Sequence, residues 1–229
     1  MNTKIIVDLE KLHDRSDEVN LKEVKETVRV TKIINELKDI LREEKDLVAL
    51  AAPQLGYKDR IFCIKFANGD IRAFINPLVF ANKGFHLSRE VPIGINNIEY
   101  IIPRASEVHA AYQTPIGKNE SNAFKGAVGE VFQQMIQLLD GVTLDEIGLE
   151  ILEGFDDLNK DERRKIIEMY LTSLKNEQKE LEKEINNDSK LSSIDASIDI
   201  MKKINLGQLE VTPLTEEQEK SILNNRGKN

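Results

Sequence analysis

The segment "FQQMIQLLDG", Phe132 to Gly141, decides the fold of this chain. With the residues before it, this segment predicts a helix over about residues 122–139, because apolar side chains recur every three or four positions. Asp140 and Gly141 then end the helix, since glycine readily adopts the conformation that follows a helix C-terminus. We expect the apolar face to lie inside the domain; it consists of Val128, Val131, Met135 and Leu138.

The segments before this helix alternate apolar and polar residues, as strands do. They are "RIFCIKFA" (60–67) and "IRAFINPLVFA" (71–81), joined by the turn "NGD", and then "EYIIPRASEVHAAYQTPIG" (99–117), in which Pro-Arg predicts a bend. A long helix precedes them in residues 20–44, with apolar positions at helical spacing: Val30, Ile33, Ile34, Leu37, Ile40 and Leu41. The sequence therefore predicts an α+β fold in which antiparallel sheets surround the helix that ends at Leu139.

From residue 149 onward the composition becomes more charged, and a mainly helical extension is predicted. We therefore expect two domains, residues 1–148 and 149–229. The first extension helix begins with a capping signal, Asn159 and Glu162. The shorter segments "SSIDASIDIMKKI" (192–204) and "TEEQEKSILNN" (215–225) predict further helices, with "QLEVTPL" (208–214) extended between them.

One face of the first extension helix has two interpretations. Apolar residues follow alternating steps of three and four, which is typical of a coiled coil that binds another chain, including a second copy through residues 160–185. The same pattern also suits an amphipathic helix docked on its own domain. The predicted partner-binding residues are Ile167, Leu171, Leu174, Leu181 and Ile185, with Gln178 in the same seam.

Charge and composition restrict the function classes. The formal net charge of −8 and the pI near 5.1 argue against a nucleic-acid partner. The charged N-terminus lacks the pattern of a signal peptide, and the apolar stretch "LVALAAPQLG" is too short to cross a bilayer. We therefore expect a protein of the cytoplasm or of a virus particle, without a membrane span. Cys63, alone in its apolar segment, predicts a buried strand thiol.

Several segments, read in order, resemble the landmarks of the peptide deformylase family: "LVALAAPQLGYKDRIFCI", "AFINP", "REVPIG", "IIPRASEVHAAYQTPIG" and "FQQMIQLLDGV". The resemblance covers roughly residues 1–148 and implies the deformylase fold. In that family a glutamine at the position of Gln54 helps to hold the developing oxyanion; here we expect Gln54 to tie its own loop. Leu47 and Ala49 replace two family glycines, which narrows the approach to the site.

The family's metal-binding and general-base positions are occupied by other residue types. Ser88 stands at the position of a cysteine ligand, Gln134 and Leu138 stand at those of two histidine ligands, and Met135 replaces the general base. Hydroxyl, carboxamide and alkyl groups are poor substitutes for thiolate and imidazole. From these positions we expect no metal, no cofactor and no catalytic residues. The chain is accordingly predicted not to be an enzyme.

Three functions remain open at this stage. The first is a catalytically inactive deformylase-like subunit of a larger assembly with protein partners, specified further as a bacteriophage particle component. The second is a module that binds peptides or nascent chains without chemistry. The third is a metal-dependent deformylase with displaced ligands, for which Ser88, His86 and Glu90 are the candidates.

Overall fold

The computed structural model describes Ile5 and residues 12–94 and 98–181. The helices are α1 (Val24–Glu43), α2 (Gly126–Leu139), α3 (Leu144–Ile147) and α4 (Lys160–Leu181). The strands are β1 (Ala49–Ala51), β2 (Ile61–Lys65), β3 (Ile71–Glu90), β4 (Tyr100–Gln113), β5 (Asn119–Lys125) and β6 (Leu149–Glu150). Within this part of the chain, every helix is too short or too polar to serve as a transmembrane segment.

The described strands form an antiparallel sheet in the order β1-β2-β3-β4-β5, and β6 pairs with the beginning of β4. The predicted hairpin between β2 and β3 is confirmed, and Gly69 supplies the left-handed residue of its turn with φ +83°. Strand β3 is 20 residues long and is bent by register shifts between Ile75 and Leu78 and between Val79 and Ala81. The predicted α+β class is confirmed.

Two sequence predictions about element boundaries are wrong. The helix begins at Gly126 rather than near residue 122, because residues 119–125 pair with β4 and Gly126, at φ +55°, turns the chain out of the strand. Strand β4 also continues through Pro103 without a break. On one side Pro103 pairs with β3. On its other side β6 pairs only with the start of β4 and β5 only with its later part, so within the described residues no strand pairs with Pro103 there. A residue without an N–H is tolerated in such an edge position.

Helices cover both faces of the sheet. Successive side chains of β2 point to opposite faces, so the strand contributes to the core on each side. Phe62 and Ile64 face α2, whereas Ile61 and Cys63 face α1. On the α1 side the predicted residues Val30, Ile33, Ile34, Leu37 and Leu41 are buried, and the predicted Ile40 is only partly buried.

The core under α2 is largely aromatic. Phe132 stacks on Phe124 with ring centroids 4.4 Å apart and meets the edges of Phe62 and Phe74 at 5.0 and 5.2 Å. Such offset and edge-to-face contacts add to the stabilisation from buried area. The segment 132–141 therefore contributes Phe132 to the centre of the domain.

The chain beyond residue 148 is described only as far as Leu181. Asn159 caps α4 as predicted: its side chain accepts hydrogen bonds from the Asp161 and Glu162 amides at 3.0 and 3.1 Å, and its own amide donates to the Glu162 carboxylate at 2.8 Å. Ile167 is partly buried beside Phe155, on the protein's own domain.

The predicted partner-binding face is only partly described. Leu171, Leu174 and Leu181 belong to α4, but their side chains lie outside the described structure, and Ile185 lies outside the described residues altogether. The predicted helices at 192–204 and 215–225, and the extended segment 208–214, lie outside them as well. The two-domain division and the partner-binding seam therefore stay predictions.

Candidate functional site

Gln54 holds two separate segments together. It lies in the short helical turn Ala52–Leu55 that follows β1, and its side chain is fully buried. Its Oε1 accepts a hydrogen bond from the Ala51 amide at 2.9 Å, and its Nε2 donates to the Ile93 carbonyl at 2.7 Å. This is the loop-tying role expected from the sequence, extended to a second segment 39 residues away.

Gln134 engages the same residue from the other side. Its Oε1 accepts from the Ile93 amide at 2.9 Å, and its Nε2 donates to Glu90 Oε2 at 2.9 Å. Both polar groups of the Ile93 backbone are thus bound by glutamine carboxamides. The segment 92–94 is therefore fixed against α2 and the turn that follows β1.

Beneath this segment lies a buried ionic network. Arg104, only 1% exposed, donates from Nε and Nη2 to the two carboxylate oxygens of Glu90, each at 2.6 Å. Its Nη1 donates to Gln137 Oε1, also at 2.6 Å. The sequence reasoning missed Arg104 and Gln137. The available signal was an arginine in the apolar stretch "IIPRA", since a charge in a buried strand requires a partner.

The remaining family positions are packed into the interior. Met135 and Leu138 are 1% and 4% exposed and belong to the core cluster under the sheet, as the apolar stripe predicted. Ser88 is buried on β3, on the same face as His86 and Glu90 because side chains alternate along a strand. The three candidate displaced ligands do not converge: His86 contacts Ser106 and Glu130, while Glu90 is bound to Arg104.

The residues at these positions do not fit the divalent transition metal that the resemblance implies. Ser88, Gln134 and Leu138 offer a hydroxyl, a carboxamide and no donor at all, whereas such metals take thiolate, imidazole and carboxylate ligands. The nearby carboxylate of Glu90 is already bound to a guanidinium. Among residues 12–94 and 98–181, no three His, Cys, Asp or Glu side chains are grouped as a metal site.

A small cleft that opens to solvent lies beside the network, between α2 and the segment 92–94, and its cavity volume is about 20 Å³. Its walls combine apolar side chains with three polar ends, and it is lined by Pro92, Ile93, Leu138, Val142 and Leu144 and by Gln134, Gln137 and Thr143. Two of the family's metal-binding positions, 134 and 138, are therefore lining residues of a cleft. Such a surface suits an apolar side chain attached to a polar backbone.

The edge of β1 that faces away from β2 is covered by other residues. Lys65 donates its amide to the Val48 carbonyl, so by alternation Val48 and Leu50 face β2, and the polar groups of Ala49 and Ala51 face away from it. The Ala51 amide is taken by Gln54, and Ala49 is fully buried. A peptide cannot add a strand at Ala49 without displacing the residues that cover it.

The thiol and the two remaining histidines make local contacts. Burial raises the pKa of the Cys63 thiol to about 12, which agrees with the predicted buried strand thiol. His13 lies 3.3 Å from the Thr143 hydroxyl and His109 lies 2.6 Å from Glu107. On the surface, Lys125 and His109 together hold the pKa of Glu107 down to about 2.

Comparison with known proteins matches the polypeptide deformylase family over residues 4–148. A peptide deformylase of Dictyoglomus turgidum is 28% identical over 142 residues, which is 61% of this chain and 91% of that protein. A probable peptide deformylase from Synechococcus phage S-SSM7 shares the fold, with a TM-score of 0.55, 19% identity, and coverage of 64% of this chain and 98% of that one.

A third similar protein is a peptide deformylase of Acinetobacter baumannii with Met-Ala-Ser bound, which has a TM-score of 0.53 and 18% identity and covers 60% of this chain and 91% of that one. This likeness and that to the phage protein show the fold. They do not test the predicted role in an assembly or a virus particle, which stays a prediction.

The prediction that the chain is not an enzyme is wrong. Its match spans most of the deformylase domain, and its relatives carry the name of an enzyme. The prediction inferred loss of activity from substitutions at four positions, and side-chain identity at those positions does not demonstrate that loss. From the family match over residues 4–148, the chain belongs to the peptide deformylase family.

Proposed function

We propose that this protein binds the N-terminal end of a peptide in the cleft between α2 and the segment 92–94. The observation that carries the proposal is the position of this cleft, which is lined by residues at the family's site positions 134 and 138 and walled mainly by apolar groups. An apolar first side chain, such as methionine, would rest on the apolar walls at the mouth of the cleft, and its polar backbone would face the lining residues Gln137 and Thr143. The Met-Ala-Ser complex of the similar Acinetobacter baumannii protein supports this choice of ligand.

A second candidate function is removal of a formyl group from such a peptide. The family match and the name of the relatives favour it. The side chains at 88, 134 and 138 do not fit a divalent metal. What the chain's own residues provide is a fixed wall: Gln54 and Gln134 hold Ile93 beside the cleft.

Binding is tested by calorimetric titration of the full chain with formyl-Met-Ala-Ser, Met-Ala-Ser and formyl-Asp-Ala-Ser. We expect a Kd of about 1 mM or lower for the methionyl peptides, equivalent to roughly −4 kcal/mol, and markedly weaker binding of the aspartyl peptide. Ile93→Trp should block the cleft. Ile116→Trp, the same chemical change at a residue that is 87% exposed in the β4–β5 turn, is the matched control.

Equal binding by both variants, or no binding of either methionyl peptide at millimolar concentration, would refute the cleft assignment. Turnover is followed in the same samples by formate release, with added divalent metal and with chelator. Formate produced by the parent chain and lost in Ile93→Trp would establish deformylation at this cleft. Formate release unaffected by Ile93→Trp would place the reaction elsewhere.

A further inference from the structure

A second group of polar side chains lies on β3, β4 and α2, outside the residues that line the cleft. Ser106 on β4 is exposed, and its Oγ lies 3.3 Å from His86 Nδ1. The other ring nitrogen of His86, Nε2, lies 2.7 Å from Oε1 of Glu130 on α2. A hydroxyl, an imidazole and a carboxylate are therefore joined in series.

The register of the sheet accounts for this arrangement. Gly84 stands opposite Ser106, because Lys83 pairs with Glu107 and Phe85 pairs with Ala105. His86, two residues further along β3, is therefore a diagonal neighbour of Ser106 on the same face. Glu130 reaches His86 from α2, which packs against that face.

The carboxylate decides which nitrogen of His86 carries the proton. A carboxylate only accepts hydrogen bonds, so the short contact with Glu130 requires the hydrogen to be on Nε2. The lone pair of Nδ1 then faces the Ser106 hydroxyl and accepts its hydrogen. Hydrolases activate serine in this way: the hydroxyl donates its hydrogen bond to an imidazole base, and a carboxylate orients that imidazole.

Gly84 keeps the hydroxyl accessible from the side of β3. Its φ of +60° is a conformation that favours glycine, and a Cβ at this position would lie 3.2 Å from Ser106 Oγ. His86 itself is only 8% exposed, so its ring is held within the fold while the hydroxyl faces solvent. The base is thus fixed in place, and the nucleophile is open to a reactant.

We propose that Ser106, His86 and Glu130 form an acyl-accepting site for small activated esters, with Ser106 as the nucleophile. Oγ bonds to the acyl carbon while its proton passes to His86 Nδ1, and the carboxylate of Glu130 stabilises the resulting imidazolium. The bond from carbon to the leaving oxygen then breaks, and His86 returns the proton to the leaving group. Water, activated by the same base, cleaves the acyl-serine to a carboxylic acid and free Ser106.

The site supplies a general base, so the acyl donors it suits are those whose leaving group departs readily, such as aryl esters. General-base assistance typically contributes about 10²- to 10⁴-fold in rate. The site lies outside the cleft of the proposed function, and the two proposals stand independently.

The test is labelling of the full chain with a fluorophosphonate probe, mapped by mass spectrometry, together with p-nitrophenyl acetate turnover. We expect modification at Ser106 and a loss of labelling in Ser106→Ala. Glu130→Gln, which keeps the shape of the carboxylate, should slow labelling by at least tenfold, because a neutral carboxamide stabilises the imidazolium of His86 less well. Ser121→Ala is the matched control, since Ser121 is an exposed serine on the neighbouring strand β5.

A purely structural pair between His86 and Glu130 would leave Ser106 no more reactive than Ser121. The proposal is therefore overturned by absence of labelling, by equal labelling of the two serines, or by an unchanged rate in Glu130→Gln. Circular dichroism of each variant shows whether the fold is retained. Because Ser106 is exposed, Ser106→Ala is expected to fold normally and keeps the test decisive.

Discussion

Arg104 and Glu90 form a two-pronged ion pair inside the protein, with two nitrogen-to-oxygen distances of 2.6 Å and side-chain exposures of 1% and 8%. The pair joins the end of β3 to β4. Gln134 links it to the segment 92–94, because its carboxamide bonds both Glu90 and the Ile93 amide. A buried pair of this kind is costly to break from one side, because the remaining charge has no solvent to replace its partner.

Glu90→Leu should therefore destabilise the protein by about 3–5 kcal/mol, since it strands a buried guanidinium. At roughly 2–4 °C per kcal/mol for a chain of this size, the midpoint of thermal unfolding should fall by about 6–20 °C. The double variant Glu90→Leu with Arg104→Met should be less destabilised than the single one. Arg42→Ala, which removes an exposed pair with Asp39, is the control and should cost about 0–1 kcal/mol.

Calorimetry or chemical denaturation would measure all three free energies of unfolding. If Glu90→Leu lowered stability no more than Arg42→Ala, the buried pair would not have the structural role assigned to it.

Gly141 is expected to tolerate no side chain. Its φ is +74°, and a Cβ there would lie 2.3 Å from the His13 carbonyl oxygen. Gly141→Ala should therefore cost about 2–5 kcal/mol, from left-handed strain and a backbone clash combined. Gly69→Ala is a close control, because Gly69 has φ +83° but open space around its Cβ; we expect about 1–2 kcal/mol there.

Urea denaturation of both variants would separate the clash from the strain. Equal losses at the two positions would show that the contact between Gly141 and His13 does not restrict the side chain.

Restoring the family's ligand types should create a metal site. Gln134 and Leu138 are four residues apart on α2 and so share a face, and Gln134 already reaches Glu90, which lies on the same face of β3 as Ser88. The triple variant Ser88→Cys, Gln134→His and Leu138→His should bind Co²⁺ stoichiometrically, with the absorption of a cobalt–thiolate bond. It should also lose stability, because Gln134 gives up its hydrogen bonds to Ile93 and Glu90.

Leu138→His alone is the control and should not bind cobalt stoichiometrically. One equivalent of tightly bound cobalt in the parent chain would show that the present side chains form a metal site after all.

Cys63 should be protected from alkylation in the folded protein. Burial raises its pKa to about 12, so the reactive thiolate is scarce at pH 8 as well as inaccessible. The folded state holds this proton more tightly than the unfolded state, whose thiol has the ordinary value of 9.0. Its contribution to stability is therefore complete below pH 9 and is lost as the pH rises toward 12.

Maleimide labelling at pH 8 with increasing urea would measure this protection. We expect labelling to follow global unfolding, with Cys63→Ala as the blank for both labelling and the alkaline loss of stability. Fast labelling in the absence of urea would contradict the buried position.

Local periodicity was sufficient to predict much of the fold. The spacing of apolar residues located α1, and Asn159 with Glu162 marked the start of α4. Of the predicted buried face of α2, Met135 and Leu138 are buried, whereas Val128 and Val131 are only partly buried. Periodicity wrongly predicted a helix near residue 122. Residues 119–125 form strand β5 instead, because pairing with β4 outweighs the local helical preference. Successive motifs also identified the deformylase family, since order along the chain is itself sequence information.

Polar partners were decided only by tertiary structure. Nothing in the sequence near Gln134 shows that its carboxamide meets Ile93, 41 residues away, or that His86 meets Glu130 across 44 residues. The same substitutions suggested a lost enzyme, an inference that the family match corrected. The sequence by itself determined which side chains are apolar and at what period, and hence the layers of the fold. Which buried polar groups satisfy one another depended on the register of β3 with β4 and the docking of α2, because hydrogen bonds form by proximity in space and not along the chain.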